Sequence, residues 1–298
     1  CYRDSILFSV LLEGPLSPDD PRLLAYVKES MLLAPGSGMY ELKMDVPENR
    51  AYNNYLSHLG FPVLKKLIKT IFDDQPPGFF IEAGALDGEY LSNTLYLERE
   101  KAWKGLLIEP DSKMFSFLLK KNRRAWSSNC CLAKDLYPKK EMLMTLSNTR
   151  YSSYGFGYRA MNTLASSPYA AMSSAVAHAD YVPVQCFPLQ SLLLALDVTH
   201  VDFISLDVEG LEEDIVEKFL EYSYGIEVDV WLVEHKNSHS NVEETDYVFI
   251  NRFTSRGYSL YTITQDFSPY NYIFIRNSSK AFHSAFHRRP LEYDKQMS

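Results

Sequence analysis

The sequence predicts an α/β fold with a mostly parallel sheet and helices on both of its faces. Three observations support this prediction. From residue 78 onward, short apolar segments alternate with amphipathic helical patterns, which is typical of parallel sheets covered on both sides. Three of these segments end in an acid that is followed closely by glycine or proline. At 298 residues, the chain is also long enough to bury a large core.

Seven strands are predicted. Five short apolar runs should form the parallel part of the sheet, at residues 79–81, 105–108, 128–133, 201–206 and 228–233. Two further runs, 259–262 and 271–276, are joined by a hairpin loop that contains proline, so the sheet should close with an antiparallel strand. Between the strands, helices are expected over 91–99, after Asp111 and after Gly210.

Residues 1–77 are predicted to be a helical extension of a domain that spans 78–298. Asp20 can cap a helix that opens with Pro21, and a second helix should run over 61–72. A stretch rich in Tyr, Ser and Ala, at about 149–183, interrupts the alternation of strands and helices. We interpret it as an inserted lid over a ligand crevice, because long loops in compact domains are often functional. A small helical subdomain with only a packing role is the alternative.

Composition indicates a globular protein, with 46% hydrophobic and 23% charged residues and a net charge of -8. Proteins that bind duplex phosphates usually present a basic face. The one dense basic run, residues 120–124, lies at the end of a predicted helix, where cations complement the helix dipole. We therefore expect no nucleic-acid partner.

The four cysteines show no metal-ligand spacing, so a structural zinc site is not expected. Cys130 or Cys131 can meet Cys186 if their strands are neighbours, either as a disulfide or as buried thiols. Asn277 begins a glycosylation sequon. These features favour the secretory pathway, the lumen of the endoplasmic reticulum or Golgi, with the cytoplasm as the alternative. The chain begins with Cys1 and has no membrane-spanning run, so membrane attachment is expected only through an anchor upstream.

The first predicted strand runs into the glycine turn Glu82-Ala83-Gly84-Ala85-Leu86-Asp87-Gly88. Gly84 lets the backbone approach a ligand closely, and the N–H groups at the following helix start should face a polar ligand end. Glu82 can accept from a ligand ammonium group, which favours a cofactor that carries an amino acid over a pyrophosphate. A tight connection with no ligand is the alternative.

The second strand ends in Glu109-Pro110, and the fourth ends in Asp207-Val208-Glu209-Gly210. An acid at the end of the second strand can bind both hydroxyls of a ribose, although a surface Glu would give the same pattern. Asp207 and Glu209 should face the reacting end of the ligand, where they can orient a substrate, act as a base or hold a divalent cation. An N-cap acid beside a solvated Glu is the alternative.

The fifth strand ends in Glu234-His235, which should reach the same rim of the sheet. His235 is a candidate base or ligand, although single histidines are more often structural. Asp135, soon after the third strand, is a candidate acceptor for an adenine amino group.

These motifs resemble those of FkbM-type methyltransferases, which use S-adenosylmethionine (SAM). The resemblance covers about 78–276, with three motifs in the family's order: residues 81–88, 109–110 and 205–210. The runs 82–89, 92–95 and 184–189 are similar to the Star branch of the family, single-pass secretory-pathway proteins that help growth-factor precursors leave the endoplasmic reticulum. Glu82 stands where many relatives carry Asp, and Ser205 stands where many enzymes carry Lys.

The resemblance implies a Rossmann-like class I methyltransferase fold with a seven-stranded sheet. The implied reactive rim is Asp207 and Glu209, and His235, at the end of the fifth strand, is the third candidate catalytic residue. The residues expected to bind the cofactor are Glu82, Gly84, Ala85, Gly88, Asn93, Glu109 and Asp135. The expected reaction is O-methylation of a small molecule or glycan. The alternatives are a non-catalytic secretory module that binds a secreted protein cargo, and a metal-dependent transferase that uses Asp207, Glu209 and His235.

Overall fold

A computed structural model gives the architecture and describes residues 12–43, 61–147, 159–171, 178–235, 242–264 and 270–287. The described residues form eleven strands. In chain order they are β1 (Phe79–Ala83), β2 (Lys104–Ile108), β3 (Trp126–Ser128), β4 (Cys131–Leu132), β5 (Lys139–Ser147), β6 (Thr163–Leu164), β7 (His178–Phe187), β8 (His200–Leu206), β9 (Glu227–His235), β10 (Tyr258–Thr264) and β11 (Tyr270–Arg276).

Helices in the described ranges connect and cover the strands. They are α1 (Pro21–Tyr26), which continues as a π-helical turn (Val27–Met31), α2 (Phe61–Phe72), α3 (Leu95–Lys101), α4 (Ser112–Lys120), α5 (Leu189–Ala195), α6 (Glu212–Glu221), α7 (Val242–Thr254) and α8 (Lys280–His287). None of the described helices is long and apolar enough to cross a bilayer.

The main sheet has seven strands among the described residues, in the order β10-β11-β9-β8-β1-β2-β3. Strands β3, β2, β1, β8 and β9 are parallel, and β11 is antiparallel to both of its neighbours. The predicted mostly parallel sheet with a closing antiparallel strand is therefore confirmed. Strand β1 lies in the middle of the sheet, and β2 and β3 follow on one side of it. The chain then crosses back and adds β8 on the other side of β1, so the strand order reverses between β1 and β8.

Two apolar cores lie on the two faces of the main sheet. One contains side chains from α1, α5, α6 and α7, and the other contains side chains from α2, α3, α4 and α8. Because alternate residues of a strand point to opposite faces, buried strands such as β1 and β8 contribute apolar residues to both cores. The helix caps expected at Asp20 and Asp111 are present, since each side chain accepts from backbone N–H groups of the first turn.

A second sheet was not anticipated. Strands β4, β7, β5 and β6 form it in that order, and it lies across one end of the main sheet, as the shared cleft described below shows. The predicted third strand, 128–133, is wrong as a single element, because the chain leaves the main sheet after Ser128 and joins the second sheet at Cys131. Cys131 pairs with Cys186 in a disulfide, and Cys130 is a buried free thiol.

The segment interpreted as a lid is described at residues 159–171 and from 178 onward. These residues form β6 and the start of β7, and residues 159–164 contribute to the wall of the cleft. The rest of the predicted insertion lies outside the described residues, so its action as a lid stays a prediction.

Candidate functional site

A cleft opens where the strand order reverses, at the carboxyl ends of β1, β2 and β8. Ligands of open α/β sheets bind at this point. The cleft encloses about 910 Å³, including the open space at its mouth. The second sheet supplies the opposite wall through residues such as Leu143, Asn162 and Thr163.

The glycine turn after β1 is shaped by its contact with β8. Gly84 has a φ of +86°, and a Cβ there would stand 1.9 Å from the carbonyl oxygen of Asp207. The close approach predicted at Gly84 is therefore to the protein backbone. The N–H groups of Gly84 and Ala85 donate to Ile108, and that of Gly88 donates to Ala85. Since α3 begins only at Leu95, the expected row of free helix N–H groups beside the turn is not formed.

Glu82 organises the loop after this turn. Its carboxylate accepts from Ser92 Oγ at 2.8 Å, Asn93 N at 2.7 Å and Thr94 Oγ1 at 2.7 Å. The guanidinium of Arg123 lies 3.9 Å away, and burial raises the pKa of Glu82 above its ordinary value. Glu82 lines the cleft, but both of its oxygens already accept hydrogen bonds from the protein. Its geometry is that of a residue that positions Asn93 and its neighbours.

Glu109 follows β2 directly and faces the cleft. One carboxylate oxygen accepts from Leu86 N and the other from Asp111 N, both at 2.8 Å. The side chain is buried, which raises the pKa of Glu109 to about 8. Each carboxylate oxygen can accept a second hydrogen bond, so the group retains the capacity to bind two ribose hydroxyls.

Three carboxylates meet at the end of β8. Asp207, Glu209 and Glu234 each place an oxygen within 4.8 Å of the others, and Asp207 and Glu234 share a hydrogen bond. Burial and the neighbouring charges of Asp207 and Glu209 raise the pKa of Glu234 well above its usual range. Glu234 therefore holds the proton of the pair and donates a hydrogen bond to Asp207, and burial raises the pKa of Asp207 as well.

The loop after Asp207 is fixed by the second sheet and its flanking turn. Glu209 has a φ of +59°, and its carbonyl oxygen accepts from Thr163 Oγ1 at 2.6 Å and Ser167 Oγ at 2.8 Å. Glu212 accepts from the N–H groups of Val208 and Gly210. These hydrogen bonds hold Glu209 in the left-handed region, which costs a residue with a side chain about 1–2 kcal/mol.

Asp111 links the two walls of the cleft. One of its oxygens caps α4, while the other accepts from Asn162 Nδ2 at 2.8 Å and contacts the guanidinium of Arg159. Asn162 in turn accepts from Leu146 N of β5. A single buried carboxylate therefore joins the end of β2 to the second sheet.

Asn93 stands beside the cleft with one unused polar atom. Its Nδ2 donates to Ser205 Oγ at 3.1 Å, but its Oδ1 is buried without a hydrogen-bond partner in the described structure. A buried polar atom without a partner costs about 1–3 kcal/mol, so it favours a ligand donor at this position. Ser205, where many relatives carry Lys, is thus the support of Asn93.

Three predicted site residues lie elsewhere. Gly88, whose N–H donates to Ala85 and whose backbone faces Leu118, is not among the residues that line the cleft. His235 points to the other face of β9 from Glu234 and stacks on Phe249 with ring centroids 4.1 Å apart. It does not line the cleft, so its assignment to the catalytic rim, and the metal set of Asp207, Glu209 and His235, are corrected. Asp135 pairs with Lys139 at 2.9 Å, also outside the cleft, because the chain has already turned into the second sheet.

Glu234 lies at the rim where the sequence placed it, in contact with Asp207 and Glu209, and the structure adds residues of the second sheet to the site. The signal for Glu234 was the one that identified Glu109 and Asp207, an acid at the end of a predicted strand. Arg159, Asn162 and Thr163 have no comparable signal, because they lie in the segment that breaks the strand–helix alternation.

The fold and the site together define a class I methyltransferase-type α/β domain, with its ligand cleft at the reversal of strand order. Residues 82–260 match the family model for the methyltransferase FkbM domain, and the chain belongs to this family. SAM is the cofactor of the family, so the cofactor prediction is confirmed at that level. The family match does not distinguish the Star branch, which stays a prediction. A comparison with curated proteins finds no match.

Several solved structures are similar to this chain at low identity. A methyltransferase FkbM from Methylobacillus flagellatus KT is 12% identical with a TM-score of 0.38, and the match covers 67% of this chain but only 43% of that one. A 1,6-didemethyltoxoflavin-N1-methyltransferase from Burkholderia thailandensis, solved with S-adenosylhomocysteine, is 9% identical with a TM-score of 0.40, over 85% and 98% of the two chains. A human methyltransferase 10 domain containing protein is 11% identical with a TM-score of 0.35, over 87% and 98%.

Proposed function

We propose that this domain transfers a methyl group from SAM to a hydroxyl oxygen of a small molecule or glycan. The observation that carries the proposal is the charge of the cleft at the reversal point. Four carboxylates line it, those of Glu82, Glu109, Asp207 and Glu209, and Arg159 is the only cation among the described lining residues. SAM carries two cationic groups, its sulfonium and its ammonium. Because a nearby positive charge favours the ionised form of a carboxyl group, these acids can pair with the cofactor although burial raises the pKa of Glu109 to about 8.

The residues present fit this cofactor. Glu109 offers two oxygens to the ribose hydroxyls, and the unpartnered Oδ1 of Asn93 can accept from the ammonium group. When bound, SAM supplies an electrophilic methyl carbon. Alkyl transfer needs an in-line approach, so most of the acceleration comes from holding donor and acceptor in register.

Asp207 is the proton acceptor in this proposal. The Asp207 carboxylate would take the proton of the acceptor hydroxyl, whose oxygen would receive the methyl group that SAM supplies. The hydrogen bond from Glu234 to Asp207 favours the ionised form of Asp207 and opposes the effect of burial on its pKa. The second sheet covers the cleft through Leu143 and Leu164 and limits the access of water.

Calorimetry with SAM and S-adenosylhomocysteine tests the cofactor site. We expect wild type to bind both, and Glu109→Ala to bind at least ~10-fold more weakly, since it loses two hydrogen bonds to the ribose that contribute about 0.5–1.5 kcal/mol each. Glu221→Ala removes an exposed acid of α6 and is the matched control. If wild type gives no heat with high-micromolar SAM, the methyltransferase proposal fails and the non-catalytic, cargo-binding alternative gains.

We also propose that the chain resides in an oxidising compartment, such as the lumen of the secretory pathway. The disulfide between Cys131 and Cys186 supports this, because such bonds are rare in the reducing cytosol. The exposed Asn277 of the sequon is compatible with it. Alkylation of the protein in its native cells, followed by peptide mass spectrometry, should recover the two cysteines as one linked pair. Recovery of both as alkylated thiols would contradict the proposal.

A further inference from the structure

A second cavity adjoins the first one on the side of α2 and α3. It encloses about 500 Å³, including the open space at its mouth. Ile68, Leu95 and the ring of Tyr96 form its apolar part. Lys65 and Arg99 bring positive charge to its rim, and Glu100 is the acid among its described lining residues. An aromatic surface edged by cations suits a ligand that has both an apolar face and a negative group.

Cations are crowded around this cavity. Lys65 and Lys69 are one turn apart on α2, and the ammonium group of Lys69 lies 4.6 Å from the centroid of the Tyr96 ring. Partial burial lowers the pKa of Lys65, and the like charges of Lys69 and Arg99 lower it further, whereas Glu100 opposes them. Like charges at this spacing repel each other, so a bound anion would relieve the repulsion.

Ser92 and Asn93 line both cavities and form the partition between them. Ser92 is held by its hydrogen bond to Glu82, and Asn93 is held through its backbone N–H to Glu82 and its side chain to Ser205. Residues of the acidic cleft therefore hold the partition in place, and the opposite side of the partition faces the basic cavity. A ligand in the second cavity lies next to the cofactor cleft.

We propose that the second cavity binds an anionic group of the methyl acceptor, a carboxylate, phosphate or sulfate, while the acceptor's hydroxyl reaches past Asn93 into the cleft. The acceptor is then an acidic small molecule or acidic glycan. This inference rests on the proposed methyl transfer, because it takes the bound molecule to be the methyl acceptor. Binding of the anionic group itself does not depend on turnover.

Titration of the whole chain with three sugars tests the inference. The probes are glucose 6-phosphate, glucuronate and neutral glucose, with binding measured by calorimetry and SAM titrated in parallel. We expect the two anionic sugars to bind, glucose not to bind, and the affinity for the anions to fall as salt is added. If only the phosphate binds, the anionic group is a phosphate, and if only glucuronate binds, it is a carboxylate.

Variants at the rim locate the binding. Lys65→Glu and, independently, Arg99→Gln should weaken the binding of the anionic sugars by ~10-fold or more, since charge-assisted hydrogen bonds are the strong ones. Lys66→Glu changes the same charge on the neighbouring exposed residue of α2, which does not line the cavity, and should leave binding within about twofold of wild type. SAM affinity should be unchanged in all three.

Two results would overturn the inference. One is binding of glucose as tight as that of its anionic relatives. The other is an equal loss of anion binding in Lys66→Glu and Lys65→Glu, which would indicate a diffuse effect of net charge. Failure of SAM to bind wild type would leave the anion result intact and count only against the proposed methyl transfer.

Discussion

The two walls of the cleft are built by different means. The sheet wall consists of the ends of β1, β2 and β8, with Glu82, Glu109 and Asp207. The insertion wall consists of residues 159–164 and β5. In the sheet wall, carboxylates accept from backbone groups nearby in sequence, such as Glu82 from Asn93, 11 residues away, and Glu109 from Leu86, 23 residues away.

The insertion wall is attached to the sheet wall by longer-range polar contacts. Thr163 and Ser167 donate to Glu209 across 46 and 42 residues, and Asn162 donates to Asp111 across 51. The disulfide between Cys131 and Cys186 closes a separation of 55 residues near the same place. Both walls join the main core, since Leu143 and Leu164 of the insertion wall belong to the same buried cluster as residues of β1 and β8. The polar links of the insertion wall, however, connect parts of the chain that are distant in sequence, and single substitutions can remove them.

Gly84→Ala tests whether the sheet wall is as rigid as this comparison implies. The new Cβ would stand 1.9 Å from the carbonyl oxygen of Asp207, so β1 and β8 must separate at the floor of the cleft. We expect the free energy of unfolding to fall by roughly 3–5 kcal/mol and SAM binding to be lost. Denaturant unfolding followed by circular dichroism, with the disulfide intact, measures the first effect.

Gly225→Ala is the matched control for that change. Its φ of +79° is as unfavourable for alanine as that of Gly84, but no atom of the described residues lies within 4 Å of the new Cβ. We expect the free energy of unfolding to fall by only about 1–2 kcal/mol, because a residue with a side chain is less stable in the left-handed region. An equal loss of unfolding free energy in both variants would mean that the backbone segments at Gly84 and Asp207 can separate without further loss of stability.

The pH dependence of stability sharpens the comparison, because the sheet wall buries acids. Burial raises the pKa of Glu109 from 4.5 to about 8. The contribution of Glu109 to the free energy of unfolding is therefore fully present below its unfolded-state pKa and is lost as the pH rises through about 8. In Glu109→Gln, the loss of unfolding free energy between about pH 5 and pH 9 should be smaller by at least ~1.4 kcal/mol, the value of one pKa unit.

Denaturant titrations at a series of pH values measure this slope. Glu221→Gln, which removes one exposed carboxylate of α6, is the control for a change of net charge. A slope in Glu109→Gln equal to that of wild type would show that Glu109 is not buried as the structure has it.

The sheet wall could be predicted from the sequence because each of its features is local. An apolar run followed by an acid and a glycine or proline marks a strand end, and the order of the strands then brings Glu82, Glu109 and Asp207 together. The caps at Asp20 and Asp111 could be predicted from an equally local signal, an Asp directly before a helical pattern. The sequence pattern does not show which face of β9 carries Glu234, because a strand with apolar residues on both faces has no alternation of polar and apolar residues.

The insertion wall could not be predicted in the same way. Strand β5 and the start of β7 mix exposed and buried positions, and their pairing depends on partners about 40 residues apart, such as Glu141 and Val184. The choice of Cys131 over Cys130 for the disulfide follows from the parallel register of Cys131 with Cys186, which exists only once the second sheet forms. Asp135 was misplaced for the same reason, since its strand was assigned to the wrong sheet.

Thr163→Val gives the smallest effect and tests how the insertion wall is attached. It removes the hydroxyl that donates to Glu209 O at 2.6 Å and keeps the shape of the side chain. Because Ser167 still donates to the same oxygen, we expect the free energy of unfolding to fall by only ~0.5–1.5 kcal/mol. Thr145→Val, on β5 of the same sheet, is the control, since its hydroxyl makes a longer contact of 3.4 Å with Asp180.

The double variant Thr163→Val/Ser167→Ala then separates two interpretations. If the two hydroxyls together hold Glu209 in its left-handed conformation, the double variant should cost more than the sum of the single variants, because the second loss leaves the carbonyl oxygen without either hydroxyl. SAM affinity should fall with it, since Asp207 is two residues away from Glu209. Additive costs with unchanged SAM affinity would instead mean that the sheet wall keeps its shape without the insertion wall.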